Sequence, residues 1–267
     1  MVANLANVTQ NQLDRWRLRR EGEPVQGAGS VVLPVRTSEG VQAVLKVTSG
    51  EAESEHEHLV LRRWGGDGAV RLLSADPPHH AVLLERLREQ SLDTMRDIDA
   101  CEVIATLYRR LHVPALPQLR TLTSYLERWT VEFEELPRSA PIPHRLVEQA
   151  TALSRELADQ PADNVVHGNL HYGNVLAGDR EPWLAIAPRP ANGDPHYEIA
   201  PMLWHRWDEL VGNIRDGVRR RFYALVDAAG FDEDRARAWV TVRVVRQAIR
   251  DSANLTRYVA LAKAVQD

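Results

Sequence analysis

Between His167 and Leu176 the chain reads His-Gly-Asn-Leu-His-Tyr-Gly-Asn-Val-Leu. A phosphoryl-transfer loop places a histidine two residues before an aspartate base, and a Mg²⁺-holding asparagine five residues after that base. In this chain the histidine is His167, the metal position is Asn174, and the base position holds Asn169. A second metal-binding aspartate belongs thirteen residues after Asn174, behind Trp183-Leu184-Ala185-Ile186, and Ala187 stands there instead. A carboxamide has no lone pair basic enough to take a proton near neutral pH, so Asn169 can orient a hydroxyl but cannot deprotonate it. Ala187 has no oxygen to offer a hard cation, which leaves the neutral Asn174 to hold it alone.

Upstream, Lys46 closes the run Ala43-Val44-Leu45-Lys46 on a predicted strand, the position of a kinase's phosphate-contacting lysine. Glu57 follows on a predicted helix, suitably placed to pair with it, and Glu53 and Glu55 are near enough to substitute. Gly27 and Gly29 lie between the first strands, where a backbone turn can approach phosphates. His167 and His171 are four residues apart, but the intervening Gly168 argues against a helix, and no cysteine or third acid completes a metal site. His171 is the nearest replacement for the missing base. Cys101, the single cysteine, reads as a packing residue.

These residues need a sheet and then helices to position them. Val31–Val35 and Val41–Val47 read as a hairpin around Arg36–Gly40, Glu51–Trp64 as a helix stopped by Gly65-Gly66, and Ala69–Leu73 and Ala81–Leu87 as strands. After Leu87 the period changes. Ile98–Leu111, His144–Leu157, Ile199–Val211, Val218–Ala229 and Asp232–Asn254 carry helical patterns, with short strand-like pieces at Val165-Val166, Val175-Leu176 and Leu184–Ile186. The order predicts an α+β chain of two lobes joined near Glu85–Glu89, with a ligand cleft between them.

At 267 residues, 44% hydrophobic and 26% charged, the chain suits one large domain or two lobes, and disorder, collagen and coiled coil are excluded. A net charge of −4, from 33 basic and 37 acidic residues, provides no footprint for nucleic acid or an anionic membrane. The start, Met1–Trp16, lacks the basic and apolar regions of a signal peptide, and no stretch is apolar enough to span a bilayer. The expectation is a cytoplasmic, soluble protein.

His167–Leu176, Glu181–Ile186 and Gly193-Asp194-Pro195 resemble the aminoglycoside and hydroxyurea phosphotransferases, especially the streptomycin 6-phosphotransferase branch. Trp64–Gly68, Val70–Leu73 and Leu83–Leu87 match that branch too, so the similarity runs from about Leu13 to about Ile249. The resemblance implies a bilobal protein-kinase-like fold, with a small β-rich N-lobe over 1–87 and a larger helical C-lobe over 88–267. It implies ATP and Mg²⁺ as cofactors. Lys46 would contact ATP phosphates and pair with Glu57, and Glu85, Arg86 and Leu87 would form the hinge whose backbone meets adenine. His167 would brace the loop, Asn174 would ligate Mg²⁺, and Asp194 would support the loop from behind.

Against that pattern, the family's catalytic aspartate is Asn169 and its second metal-binding aspartate is Ala187. Losing a general base costs ~10²–10⁴ in rate, and a lost metal removes several kcal/mol of charge stabilisation besides. On the acceptor side, Glu127, Glu132, Glu134 and Glu135 would suit a polycation or simply face solvent. Arg243, Arg246 and Arg250 fall on one helix face and would repel a polycation if they line the cleft, with Arg246 and Arg250 as pocket residues. Three readings stay open. The first is a pseudokinase whose cleft binds or transforms a small natural-product-like molecule without ATP. The others are a streptomycin-type kinase inactivated by substitution at Asn169 and Ala187, and a non-catalytic scaffold or regulatory partner.

Overall fold

Alternation decides the first unit. In β3 (Ser30–Arg36) and β4 (Gln42–Thr48), Val31, Leu33, Val35, Ala43, Leu45 and Val47 are buried and the residues between them are not. A period of two makes one face of the sheet apolar. The computed structural model describes residues 2–27, 29–50, 55–159 and 161–266. It divides into two units, Met1–Gln90 with Leu176–Pro190, and Ser91–Val175 with Ala191–Asp267.

The first unit is built on an antiparallel sheet, in the order β1 (Arg19–Arg20), β3, β4, β6 (Ala81–Glu85), β5 (Leu72–Asp76), with β2 (Val25–Gly27) also paired to β3. An amphipathic helix that the sequence reading had left out, α1 (Val2–Arg15), sets Leu5 and Leu13 into the cluster formed by the buried β3 and β4 residues, Ala81 and Leu83. Lys46, between Leu45 and Val47, therefore belongs to the opposite face. The predicted helix from Glu51 is observed as α2 (Glu57–Trp64), residues 51–54 lying outside the described set. It buries Glu57, Val60, Leu61 and Trp64, one face of a helix, and ends on Gly65 in the left-handed region. The predicted strand Ala69–Leu73 starts only at Leu72, because Ala69 forms a parallel bridge with Ala185 and the Val70 N–H donates to the Ala185 carbonyl.

That pairing explains why Leu176–Pro190 groups with the sheet rather than running with a continuous helical part from residue 88. Arg88 N–H donates to the Ala177 carbonyl and Ala177 N–H to that of Gln90, so the chain on both sides of Glu89 is stitched to the returning segment. The later strands are β7 (Asn164–Val166), β8 (Val175–Leu176), β9 (Leu184–Ala185) and β10 (Ala191–Gly193), of which β7 pairs with β10 and β8 with β9.

In the second unit the helices are α3 (Asp97–Leu111), α4 (Leu122–Glu134), α5 (His144–Ala158), α6 (Ala200–Trp204), α7 (Ile214–Ala229), α8 (Glu233–Arg250) and α9 (Leu255–Gln266). α3 packs on α7, α4 on α5, and α8 on both α5 and α9. The helix predicted over Ile199–Val211 is broken at Arg206, which has a φ of +53°. The carbonyls of His205 and Arg206 are taken by the buried Arg221 guanidinium at 2.7 and 3.3 Å rather than by a continuing helix. Asp232–Asn254 likewise ends at Arg250, where the Asp251 carboxylate accepts from Asn254 and Tyr258. No described helix is long and apolar enough to cross a membrane.

Leu45 is fully buried at the centre of the first unit's core. Leu45→Ala is expected to lower unfolding free energy by about 2–5 kcal/mol, read as a shift of the urea midpoint at constant slope. An unchanged midpoint would show that this face of the sheet does not carry the unit.

Candidate active site

β7 leads directly into the loop, and one carboxylate fixes where the loop begins. Glu198 sits on the turn Pro195–Ile199, fully buried, and accepts the His167 N–H and the Gly168 N–H, the latter at 3.1 and 3.2 Å. Burial works against its charge, but His112, whose Nε2 stands 3.8 Å away, with His167 and Arg243, outweighs that and holds it below the usual carboxylate range. Tyr108 Oη donates to the Glu198 carbonyl at 3.0 Å. Arg243 lies 3.8 Å over the Tyr197 ring and donates to the carbonyls of Tyr197 at 2.7 Å and Gly168 at 3.1 Å.

The loop closes on itself. His167, fully buried, accepts the Asn169 N–H on Nδ1 at 3.2 Å, as a bracing histidine does. Asn174 Nδ2 donates to the Asn169 carbonyl at 2.8 Å, which turns its amide nitrogen inward and leaves Oδ1 as the atom able to meet a cation. His171 Nδ1 accepts the Gly173 N–H at 3.3 Å, so the neutral ring carries its proton on Nε2 and is a donor rather than a base. Its ring lies flat on His205, centroids 3.6 Å apart and 7° from parallel. Burial lowers the pKa of His205, and the nearby Asp93 acts the other way. Tyr172 is pinned by its hydroxyl on Asp97 Oδ1 at 3.1 Å, with Arg206 4.5 Å over its ring, and Arg221 Nε takes Asp97 Oδ2 at 2.9 Å.

Asp194, expected behind the loop, is occupied elsewhere in the same unit. Its carboxylate accepts from the His196 N–H at 3.1 Å, from His196 Nδ1 at 2.6 Å, and from Arg235 Nε and Trp239 Nε1. His196 Nε2 accepts the Asp232 N–H at 3.0 Å, which puts the ring proton on Nδ1. Burial opposes the charge of Asp194, yet these donors together bring its pKa down to about 2. The carboxylate that supports the loop backbone is therefore Glu198, four residues on. An acid inside the apolar run Tyr197-Glu198-Ile199-Ala200 was the available signal, since a carboxylate buried there needs donors.

In the first unit, Lys46 Nζ donates to both oxygens of Glu57 at 2.7 and 2.8 Å, with the side chains only 12% and 4% exposed. Glu57 thus takes the partnership for which Glu55 had been an alternative, and Glu53 lies outside the described residues. Gly27 pairs with Ser30, a Cβ on Gly27 would meet Ser30 Oγ at 2.6 Å, and Gly29 has a φ of +71°. The Glu85 carboxylate is held by Arg180 at 2.6–3.1 Å and by the Arg71 N–H at 2.7 Å, and Arg180 also donates to the carbonyls of Gly66 and Ala69. The hydrogen bonds from Glu85 hold Arg180 above its ordinary pKa. Two residues on, the Leu87 N–H has no hydrogen-bond partner among the described residues.

Ala187 has a φ of +53°, in the left-handed region, where Asp and Asn are several-fold enriched over other non-glycine residues. The backbone at 187 is one that an aspartate adopts more readily than an alanine. Mg²⁺ does not fit the residues present: a methyl stands at 187, Asn174 offers one neutral oxygen, and a small hard cation takes carboxylate or phosphate oxygens. Among the described residues, no group of three or more His, Cys, Asp and Glu side chains is arranged to hold a metal. Nor do the arginines form one ligand stripe. Arg243 is spent on the loop backbone, Arg246 pairs with Glu132 at 3.1 Å, and Arg250 is exposed. Glu134 pairs with Arg155.

A family model described as aminoglycoside/hydroxyurea antibiotic resistance kinase matches residues 15–254. The chain belongs to this kinase family. It is 40% identical over 260 residues to the streptomycin 6-kinase of Streptomyces glaucescens, covering 94% of this chain and 84% of that one. It is also 40% identical over 245 residues to the hydroxyurea phosphotransferase of Kitasatospora aureofaciens, covering 89% and 70%. Among solved structures, the choline kinase LicA from Streptococcus pneumoniae superposes with a TM-score of 0.62 at 12% identity, over 97% of this chain and 98% of that one. At that identity the likeness shows the kinase-like fold, a β-sheet part followed by a helical part.

Asp194 gives this family member a defined acid response. A native pKa of about 2 against an ordinary 3.8 stabilises the fold above pH 3.8, and the benefit is lost as pH falls through 2. The difference corresponds to about 2 kcal/mol. Asp194→Asn is expected to remove that part of the acid-denaturation slope, measured by urea titrations between neutral and acid pH. An unchanged slope would mean that the His196, Arg235 and Trp239 contacts do not hold the charge.

Proposed function

We propose that this chain is a phosphotransfer-deficient member of the aminoglycoside/hydroxyurea kinase family that binds a small, natural-product-like molecule and does not use ATP as a phosphoryl donor. The observation that carries this reading is selective loss. Asn169 and Ala187 stand at the two positions where the reaction needs a carboxylate, while the scaffold around both is kept. Glu198 still receives the loop's first two N–H groups, Asn174 still closes the loop on Asn169, and Lys46 still pairs with Glu57. Each of these networks also stabilises the fold, because a buried polar group left unmatched costs about 1–3 kcal/mol.

His171 does not stand in for the base missing at Asn169. The His171 lone pair that could accept a proton is directed at the Gly173 N–H. Losing the base costs ~10²–10⁴ in rate, and losing the metal ligand removes a separate contribution to charge stabilisation. The relatives are a streptomycin 6-kinase and a hydroxyurea phosphotransferase, so a hydroxyl-bearing ligand of modest size is the natural expectation.

With labelled ATP, Mg²⁺ and streptomycin or hydroxyurea as acceptor, the chain is expected to transfer no phosphate above background. The Asn169→Asp, Ala187→Asp double variant is expected to gain at least ~10²-fold. Turnover by the unaltered chain, or silence of the double variant with its fold intact, would defeat the proposal.

A further inference from the structure

The misfit of Mg²⁺ has a consequence for the first unit, whose parts divide into those that meet a nucleotide and those that meet a metal. The first set is complete. Lys46 is fixed by Glu57 on the sheet face opposite α1, Gly29 beside the Gly27–Ser30 pair is left-handed, and the Leu87 N–H, two residues beyond β6, is unpaired among the described residues. The Glu85 side chain is tied to Arg180 and Arg71, so this edge of the unit presents backbone rather than a carboxylate. The second set, on the segment tied back to the sheet through Ala185 and Arg180, ends in the methyl group of Ala187.

We infer that the first unit binds an adenine nucleotide without a divalent cation, as a resident ligand rather than a phosphoryl donor. A carboxylate at 187 would repel bare phosphates and need a cation to bridge the two, since like charges a few ångströms apart are costly even near a protein surface. Alanine removes that repulsion and the metal site in one change. Lys46 then supplies the charge-assisted hydrogen bond to phosphate, and Mg²⁺ adds nothing that the protein recognises. The inference shares the two substitutions with the proposed function but is read by binding, so its failure leaves the question of turnover untouched, and the converse holds too.

The test is a fluorescence titration of the full chain with N-methylanthraniloyl-ATP, once with Mg²⁺ and once with EDTA. The expected dissociation constants agree within about threefold. The Lys46→Met, Glu57→Gln double variant, which leaves no buried carboxylate unpaired, is expected to weaken both by roughly 10- to 100-fold while its circular dichroism is unchanged. Ala187→Asp, placed on a backbone that favours it, is expected to weaken binding in EDTA by about tenfold and to make it recover with Mg²⁺. Absence of saturable binding in EDTA, tighter binding of the unaltered chain with Mg²⁺, or an Ala187→Asp variant indifferent to Mg²⁺ would each overturn the inference.

Discussion

A carboxylate with no access to solvent fixes the second unit's loop. Glu198 receives the N–H groups of His167 and Gly168, and the cationic or polarisable groups around it, His112, His167 and Arg243, keep it charged. A buried charge is tolerated only when it is surrounded by donors in this way. From that anchor the rest of the loop follows: His167 takes the Asn169 N–H, Asn174 takes the Asn169 carbonyl, and Tyr172 is pinned to Asp97. The charge that builds the loop is present, and positions 169 and 187 carry none.

That contrast separates architecture from chemistry. Fold and function are independent properties of a chain, and a kinase-like fold supports catalysis only where particular atoms are present. Here the backbone at 187 adopts a left-handed conformation that suits an aspartate, although an alanine occupies it. Strain of this kind, of order 1 kcal/mol, persists because the flanking segment is held by Ala185 on Val70 and Gly68 and by Arg180 on Glu85.

Much of this was legible in the residues. The two-then-five spacing located the loop, the alternation of β3 and β4 placed Lys46, and the structure pairs it with Glu57. What stayed hidden depended on tertiary partners. Arg221 reads as one of several surface arginines until it captures the carbonyls of His205 and Arg206 and breaks the helix expected there. Asp194 and Glu198 lie four residues apart; the apolar neighbours of Glu198 were its one signal, and the fold shows that it is Glu198 that reaches the loop. α1 was missed although Leu5, Val8 and Leu13 share a face, because the polar Thr9 and Gln12 are buried among them and interrupt the apolar pattern. Arg180 was likewise silent: its meaning comes from residues about a hundred positions earlier.

The central claim, that Asn174 and Ala187 do not hold the reaction's metal, is tested most directly by electron paramagnetic resonance of Mn²⁺, a paramagnetic stand-in for Mg²⁺ with the same preference for oxygen ligands. Added to the chain without nucleotide, Mn²⁺ is predicted to keep the spectrum it has in buffer. A stoichiometric, immobilised signal that requires the protein would contradict the account.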